Sequence, residues 1–227
     1  MNIYGEHPVF RDRSDAGKRL AEQLSGYRGR DVVVYAIPRG GVPVAMEIAA
    51  GLKASLDIVI VRKVPVPDEP EAGFGAITED GTLVLNEPMV KRLGLDRDEI
   101  ENQADAVRAE IMRRSMLYRR KILPSPVKGK TAIIVDDGLA SRYTMLAAIR
   151  SLRNRKAAEV VVAVPVASRT AFELVKSDVE NLVCLIIART AWFAVAGFYQ
   201  NWHDLNDEEV SQYLETWRVR DEQSIIS

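Results

Sequence analysis

The sequence predicts an α/β protein: an open, mainly parallel five-strand sheet with helices on both faces, interrupted by one flexible loop. Three observations predict it. Apolar runs of strand length recur along the 227 residues, with helix-like segments between them, and such alternation builds parallel sheets. The connections are short, so successive strands belong to one sheet. Apolar residues make up 47% of the chain, enough to bury a core within one domain spanning 1–227.

Ser14 is a suitable N-cap for a first helix running to about Leu24. Asp31 to Ile37 reads as a buried strand, with Val32, Val33 and Val34 in succession, and Gly40 and Gly41 break it. A helix from about Val42 to Leu52 returns to a second strand at Asp57–Val61. The strand–helix–strand unit makes these strands parallel.

Arg62 to Leu85 differs. Pro65, Pro67, Pro70, Gly73, Gly75 and Gly81 interrupt it. The stretch reads as a mobile excursion or an irregular hairpin, with Thr82–Leu85 as a strand. Loops of this length in compact domains serve as lids or binding loops.

Asp96 and Glu99 fit a capping box opening a long polar helix. Ile100, Ala104, Val107, Ile111 and Tyr118 mark its apolar face, and Pro124 and Pro126 end it. Strands at Thr131–Val135, Glu159–Val164 and Asn181–Ile187 follow, separated by helices at about Thr144–Lys156 and Ser168–Ser177. Beyond them, Trp192, Phe193, Phe198, Tyr199 and Trp202 crowd aromatic residues into a chain that is 7% aromatic. Such a cluster is either core packing or a stacking cover for a flat ligand.

Bulk properties exclude several classes. The net charge is −1 and no basic block appears, which excludes a sequence-independent nucleic-acid binder. His7 and His203 lie far apart, and no metal-ligand spacing occurs. The one cysteine, Cys184, sits in an apolar run and reads as a reduced core thiol. The N-terminus is polar, and the apolar stretch Leu182–Tyr199 is interrupted by Arg189. No signal peptide or membrane span is predicted, so the expectation is a soluble, cytoplasmic protein.

The most informative stretch runs from Ala132 to Thr144. An apolar strand ends in Asp136 and Asp137, then Gly138, Leu139, Ala140, Ser141, Arg142, Tyr143 and Thr144 lead into a helix. In an open α/β sheet, ligands bind at the carboxyl ends of strands. A helix N-terminus there offers free N–H groups and partial positive charge to a phosphate. Two carboxylates beside it suit sugar hydroxyls or a phosphate-bound Mg²⁺. A plain polar strand–turn–helix connection has the same composition. The first strand ends in Arg39, Gly40 and Gly41, where the glycines admit an anion close to the backbone and Arg39 can add a bidentate contact. The second strand ends in the basic pair Arg62 and Lys63. Each of these two is common as a simple turn or a solvated pair; the functional reading rests on three such strand ends sharing one sheet edge.

The Val-Asp-Asp-Gly-Leu-Ala-Ser-x-x-Thr stretch resembles the 5-phosphoribosyl-1-pyrophosphate (PRPP) motif of type I phosphoribosyltransferases. Phe10-Arg11-Asp12-Arg13, Ile37–Ala45, Val61–Lys63, Gly75–Asn86 and the aromatic tail are similar to a family of predicted phosphoribosyltransferases of bacteria and archaea. The resemblance covers nearly the whole chain. It implies a Mg²⁺-dependent transferase moving 5-phosphoribosyl from PRPP to a nucleobase-like acceptor and releasing pyrophosphate. It implies that Asp136 and Asp137 hold the ribose hydroxyls, directly or through Mg²⁺. It further implies that Gly138 to Thr144 cradle the 5-phosphate, and that Arg39, Gly40 and Gly41 form a pyrophosphate loop with unusual peptide geometry. Arg62 and Lys63 would neutralise departing pyrophosphate, and Pro65–Thr82 would close over the site. The hood would combine the N-terminal segment with 188–205, using Trp192, Phe193, Phe198 and Tyr199. A homodimer is also implied. One departure stands out: Arg142 replaces the glycine usual in the middle of the phosphate loop. That favours a non-catalytic regulator binding PRPP or a nucleotide as the alternative; a third reading is a phosphatase or nucleosidase using the same cradle to hydrolyse a phosphorylated sugar. The segment Arg-Gly-Gly-Val-Pro lacks the dinucleotide-binding spacing.

Overall fold

The computed structural model describes residues 8–67, 69–189 and 192–226. Residues 1–7, where His7 and the start of the expected hood segment fall, lie outside the described residues, as do positions 68, 190, 191 and 227.

The chain opens with α1 (Arg13–Gln23), whose N-cap is Asp12 rather than the expected Ser14. Asp12 accepts the Asp15 N–H at 2.8 Å, while Ser14 donates to Glu47 at 2.6 Å and ties α1 to the next helix. Strand β1 (Val32–Ala36) is buried throughout. Helix α2 (Gly41–Leu52) leads to β2 (Ser55–Ile58), which pairs parallel with β1. Gly17 permits the close approach of α1 and α2: a Cβ there would lie 2.6 Å from the Val44 carbonyl oxygen.

The second strand departs from expectation. The apolar run 58–61 spans two strands rather than one, because the chain turns at Val59–Ile60 while remaining buried. Strands β3 (Val61–Val66), β4 (Glu69–Thr78) and β5 (Leu83–Leu85) form a separate antiparallel sheet. The expected hairpin is therefore present, and it includes most of the segment predicted to be a flexible loop. Arg62 and Lys63 lie within β3, opposite Ile77 and Ala76, not at the carboxyl end of a parallel strand. A continuous apolar run cannot reveal where buried chain reverses.

Helix α3 (Glu87–Leu93), not expected from the sequence, precedes α4 (Arg97–Tyr118). The Asp96–Glu99 capping box of α4 is present, and Ala104, Val107, Ile111 and Tyr118 are buried as its periodicity predicts. Then come β6 (Thr131–Val135), α5 (Arg142–Asn154), β7 (Glu159–Ser168), α6 (Arg169–Lys176) and β8 (Asn181–Ala188). The main sheet is parallel in the order β2-β1-β6-β7-β8. Alternate β1 residues face opposite cores. Val32 and Val34 pack with α1, α2, α4 and the terminal helix, while Val33 and Tyr35 pack with α5 and α6.

That terminal helix, α7 (Asp207–Ile226), is likewise absent from the sequence expectation. Asn206 and Glu209 bond reciprocally at its start, at 2.8 and 2.9 Å, and Val210, Leu214 and Trp217 are its buried face. No helix among the described residues is long and apolar enough to cross a membrane. Cys184 on β8 is only partly buried.

Candidate active site

Strands β1 and β6 are neighbours in register, Ala36 opposite Val135. Their carboxyl ends therefore place Ile37–Gly41 beside Asp136–Thr144. The peptide bond between Pro38 and Arg39 is cis. The two glycines permit contact between these segments. A Cβ at Gly40 would fall 1.9 Å from Asp137 Oδ2, and one at Gly41 would fall 2.5 Å from the Val135 carbonyl oxygen. The Arg39-Gly40-Gly41 turn thus packs on the acidic pair itself.

Asp136 accepts the Asp137 N–H at 2.9 Å. Burial pushes the Asp136 carboxyl well above the usual carboxylate range, and the adjacent Asp137 charge pushes it the same way. Burial acts upward on Asp137 too, but Arg13 opposes it. The Arg13 Nε donates to Asp137 Oδ2 at 2.8 Å, in an ion pair whose side chains are 8% and 15% exposed. A buried cation is what lets a carboxylate sit at this depth. In the sequence, Arg13 belongs to a motif of the resemblance but carries no role there. The local signal that could have found it is weak: an arginine in the first turn of a helix opposes the helix dipole.

After the acidic pair, Leu139 bridges to β7: its N–H donates to the Val166 carbonyl at 2.8 Å, and its carbonyl accepts from Ser168 at 3.0 Å. Gly138 lies under Val195, where a Cβ would be 2.6 Å from Val195 Cγ1 and Cγ2. Ala140 and Ser141 are exposed. Ser141 is the N-cap of α5 by position, but its side chain makes no capping hydrogen bond. Arg142, Tyr143 and Thr144 form the first turn, all half-buried. Arg142 is in the helix and not among the positive-φ residues, so this conformation does not require glycine. Its guanidinium donates to the Tyr143 hydroxyl at 3.0 Å and lies over that ring, 4.8 Å from the centroid.

The basic residues divide. Arg62 is half-buried. Burial, the Arg114 charge and the Arg39 charge all act to lower its pKa. The side chains of Arg39 and Arg62 make no hydrogen bond or ion pair among the described residues. Two neighbouring guanidinium groups in that state form a receptive place for an anion. Lys63 is exposed, and its stem lies against β4, where a Cβ at Gly73 would be 2.3 Å from Lys63 Cγ.

The hood residues also divide. Phe10 bridges to Tyr199, and Gln200 and Asn201 donate to the Phe10 and Arg11 carbonyls at 2.8 and 2.9 Å. The described N-terminal residues and the aromatic tail therefore meet. Phe198 and Tyr199 are 9% and 4% exposed and belong to a core cluster with Phe10, Val166 and Ala188. The Tyr199 hydroxyl donates to the Asp137 carbonyl at 2.7 Å. These two are packing residues, which corrects their assignment as faces for a base: their rings are covered by neighbours. Phe193 is half-buried, 5.7 Å from the Phe198 ring, and Trp192 is 93% exposed. Trp202 meets Tyr199 in a tilted ring contact, centroids 5.2 Å apart at 43°, and lies under the Arg13 guanidinium at 3.9 Å.

Comparison with known proteins identifies the family and the fold. A family model described as the phosphoribosyl transferase domain matches residues 11–198. A curated Mycobacterium tuberculosis protein, provisionally named a phosphoribosyl transferase, is 40% identical over 207 residues. That match covers 91% of this chain and 46% of the relative, so the chain spans about half the length of the curated relatives it matches. A crystal structure from Thermus thermophilus is 38% identical with a TM-score of 0.78, covering 92% of this chain and 99% of that one. A Neisseria gonorrhoeae protein solved with bound ppGpp has a TM-score of 0.50 at 16% identity, covering 94% and 98%. It shares the fold.

Proposed function

The chain belongs to the phosphoribosyl transferase domain family, and from that premise we propose that it transfers 5-phosphoribosyl from PRPP to a nitrogenous base, releasing pyrophosphate. One observation carries the reading. The Asp136–Asp137 pair packs directly on Gly40, and an α-helix start with no side-chain cap follows it within five residues. Sugar-binding carboxylates, an anion-binding turn and a phosphate-binding helix start are thereby contiguous.

In this reading the C1–oxygen bond to pyrophosphate breaks with its electron pair leaving on pyrophosphate. The acceptor nitrogen then bonds to C1 and gives up its proton. Charge grows on the departing pyrophosphate, where Arg39 and Arg62 make no hydrogen bond or ion pair among the described residues; preorganised cations stabilise such charge strongly. Asp136 and Asp137 orient the ribose. Thr144 and the first N–H groups of α5 hold the 5-phosphate. Trp192 and Phe193, the less buried aromatics of the tail, would face a base.

Mg²⁺ fits the donor set in one form only. No group of three or more His, Cys, Asp or Glu side chains suited to a metal occurs among the described residues. Mg²⁺ would enter with PRPP, and Asp136 and Asp137 would hold it indirectly, through the ribose hydroxyls or water. Bound there, it would neutralise phosphate charge.

A second reading, a non-catalytic protein that binds PRPP or a nucleotide, is favoured by Arg142 at the phosphate cradle. Calorimetric titration of PRPP with Mg²⁺ and with excess chelator tests the donor site, and pyrophosphate release with a panel of bases separates the readings. Mg²⁺-dependent binding with base-dependent release supports transfer. Binding without release under any base supports the regulator, and no binding by folded protein overturns both.

A further inference from the structure

We propose that Arg13 is the positioning residue of the acidic pair, and that it locks the ribose-holding carboxylate to the hood. The inference rests on the phosphoribosyl-transfer reading above and names what that reading needs from a residue 124 positions away.

The guanidinium is committed on three sides. Its Nε donates to Asp137 Oδ2 at 2.8 Å, its Nη1 donates to the His203 carbonyl at 3.0 Å, and its Cζ lies over the Trp202 ring, 3.9 Å from the centroid. An arginine held by a carboxylate, a carbonyl and an aromatic face has one available geometry, and lysine cannot reproduce it. The side chain is 8% exposed, so water does not substitute for these partners.

Asp137 is held just as completely. Its N–H is bonded to Asp136, its carbonyl accepts from Tyr199, and its carboxylate abuts Gly40. Arg13 supplies the one charged contact in this set. Two further bonds make the coupling continuous: Asn201 donates to the Arg11 carbonyl, and Phe10 pairs with the chain at Tyr199. The start of α1, the segment 198–203 and the end of β6 thus form one unit whose charged link is Arg13–Asp137. Catalytic constellations lose function when a first contact is misplaced by about 1 Å. Loosening Arg13 should therefore act on the ribose contact and leave the pyrophosphate contact in place.

Three probes separate those contacts: PRPP, ribose 5-phosphate and inorganic pyrophosphate, each titrated calorimetrically with Mg²⁺. Arg13→Met is expected to weaken PRPP and ribose 5-phosphate tenfold or more, with pyrophosphate affinity within twofold of wild type. Trp202→Leu keeps the ion pair but removes the stacking, and is expected to give the same pattern at about threefold; it serves if Arg13→Met fails to fold. Equal loss for all three probes would show a merely structural role and overturn the proposal. So would unchanged ribose 5-phosphate affinity. Failure of the wild-type protein to bind PRPP would instead overturn the function on which the proposal rests, and the proposal with it.

Discussion

A missing side chain is what lets the two strand ends meet. At Gly40, a Cβ would lie 1.9 Å from an oxygen that Arg13 already holds, so the carboxylate cannot move away. Gly40→Ala is expected to lower PRPP affinity at least tenfold, measured by titration. Gly26→Ala, where a Cβ meets nothing within 4 Å, is expected to leave it unchanged. Arg142 poses the opposite question, because it adds a side chain where the motif that this stretch resembles usually has glycine. Its helical backbone removes the conformational argument for glycine, and its guanidinium rests on Tyr143. Arg142→Gly is expected to weaken PRPP binding about threefold, the size of one partly solvated charge contact. Tighter binding in that variant would mean that the side chain obstructs the cradle.

Helix α4 carries its own start signal and a charge network at the element scale. Asp96 accepts the Glu99 N–H at 2.9 Å, and the Glu99 carboxylate accepts the Asp96 N–H at 2.9 Å. Asp96→Ala is expected to cost about 1 kcal/mol in thermal or denaturant unfolding, the usual worth of such a cap. Further along α4, bonds from Arg113 and Arg114 hold the Glu110 carboxyl down at about 2, and Arg113 also reaches Asp207 of α7 at 2.5 Å. In the unfolded chain that carboxyl returns to roughly 4.3. As pH falls, the unfolded state takes up the proton first, so the contribution is full above about pH 5 and fades toward about pH 2. Denaturant midpoints followed from pH 6 to 2.5 are expected to fall less steeply in Glu110→Gln.

The whole molecule depends on joining two sheets, and a buried carboxylate does much of this. Asp57 on β2 is fully buried, pairs with Arg119 and accepts the Ser125 N–H at 2.9 Å. Arg119 also bonds Glu79, just past β4, at 2.7 Å, and the Ile58 carbonyl at 3.0 Å. Sheet edge, antiparallel meander and the chain after α4 therefore share one network. Removing one partner of a buried pair costs about 3–5 kcal/mol. Asp57→Asn keeps the shape and part of the hydrogen bonding, so about 3 kcal/mol is expected. For a chain of this size that corresponds to a Tm lower by about 6–12 °C, read by calorimetry.

Much of this was legible along the chain. The parallel strands at 32–36, 131–135, 159–168 and 181–188 are apolar runs of strand length bounded by turn residues. Asp136, Asp137 and the turn after them mark a strand end whose composition also suits a plain connection, and the α4 capping box is written in two residues. Where the sequence failed, it failed for physical reasons. Helix α7 shows Val210, Leu214 and Trp217 at helical spacing, but only over a short stretch of a largely polar segment. The split between β2 and β3 is invisible because both sides of the turn are buried. Phe198 and Tyr199 look like ligand-facing aromatics until Phe10 and Asp137 are seen to hold them. Local periodicity and turn chemistry are properties of neighbours in sequence, so the chain alone determined the parallel strands β1, β6, β7 and β8, most of its helices and the place of its acidic pair. Burial, register and ion pairing are properties of neighbours in space. Only the tertiary structure could move Arg62 onto a second sheet, place Arg13 on Asp137, and separate the aromatic residues that pack in the core from those at its margin.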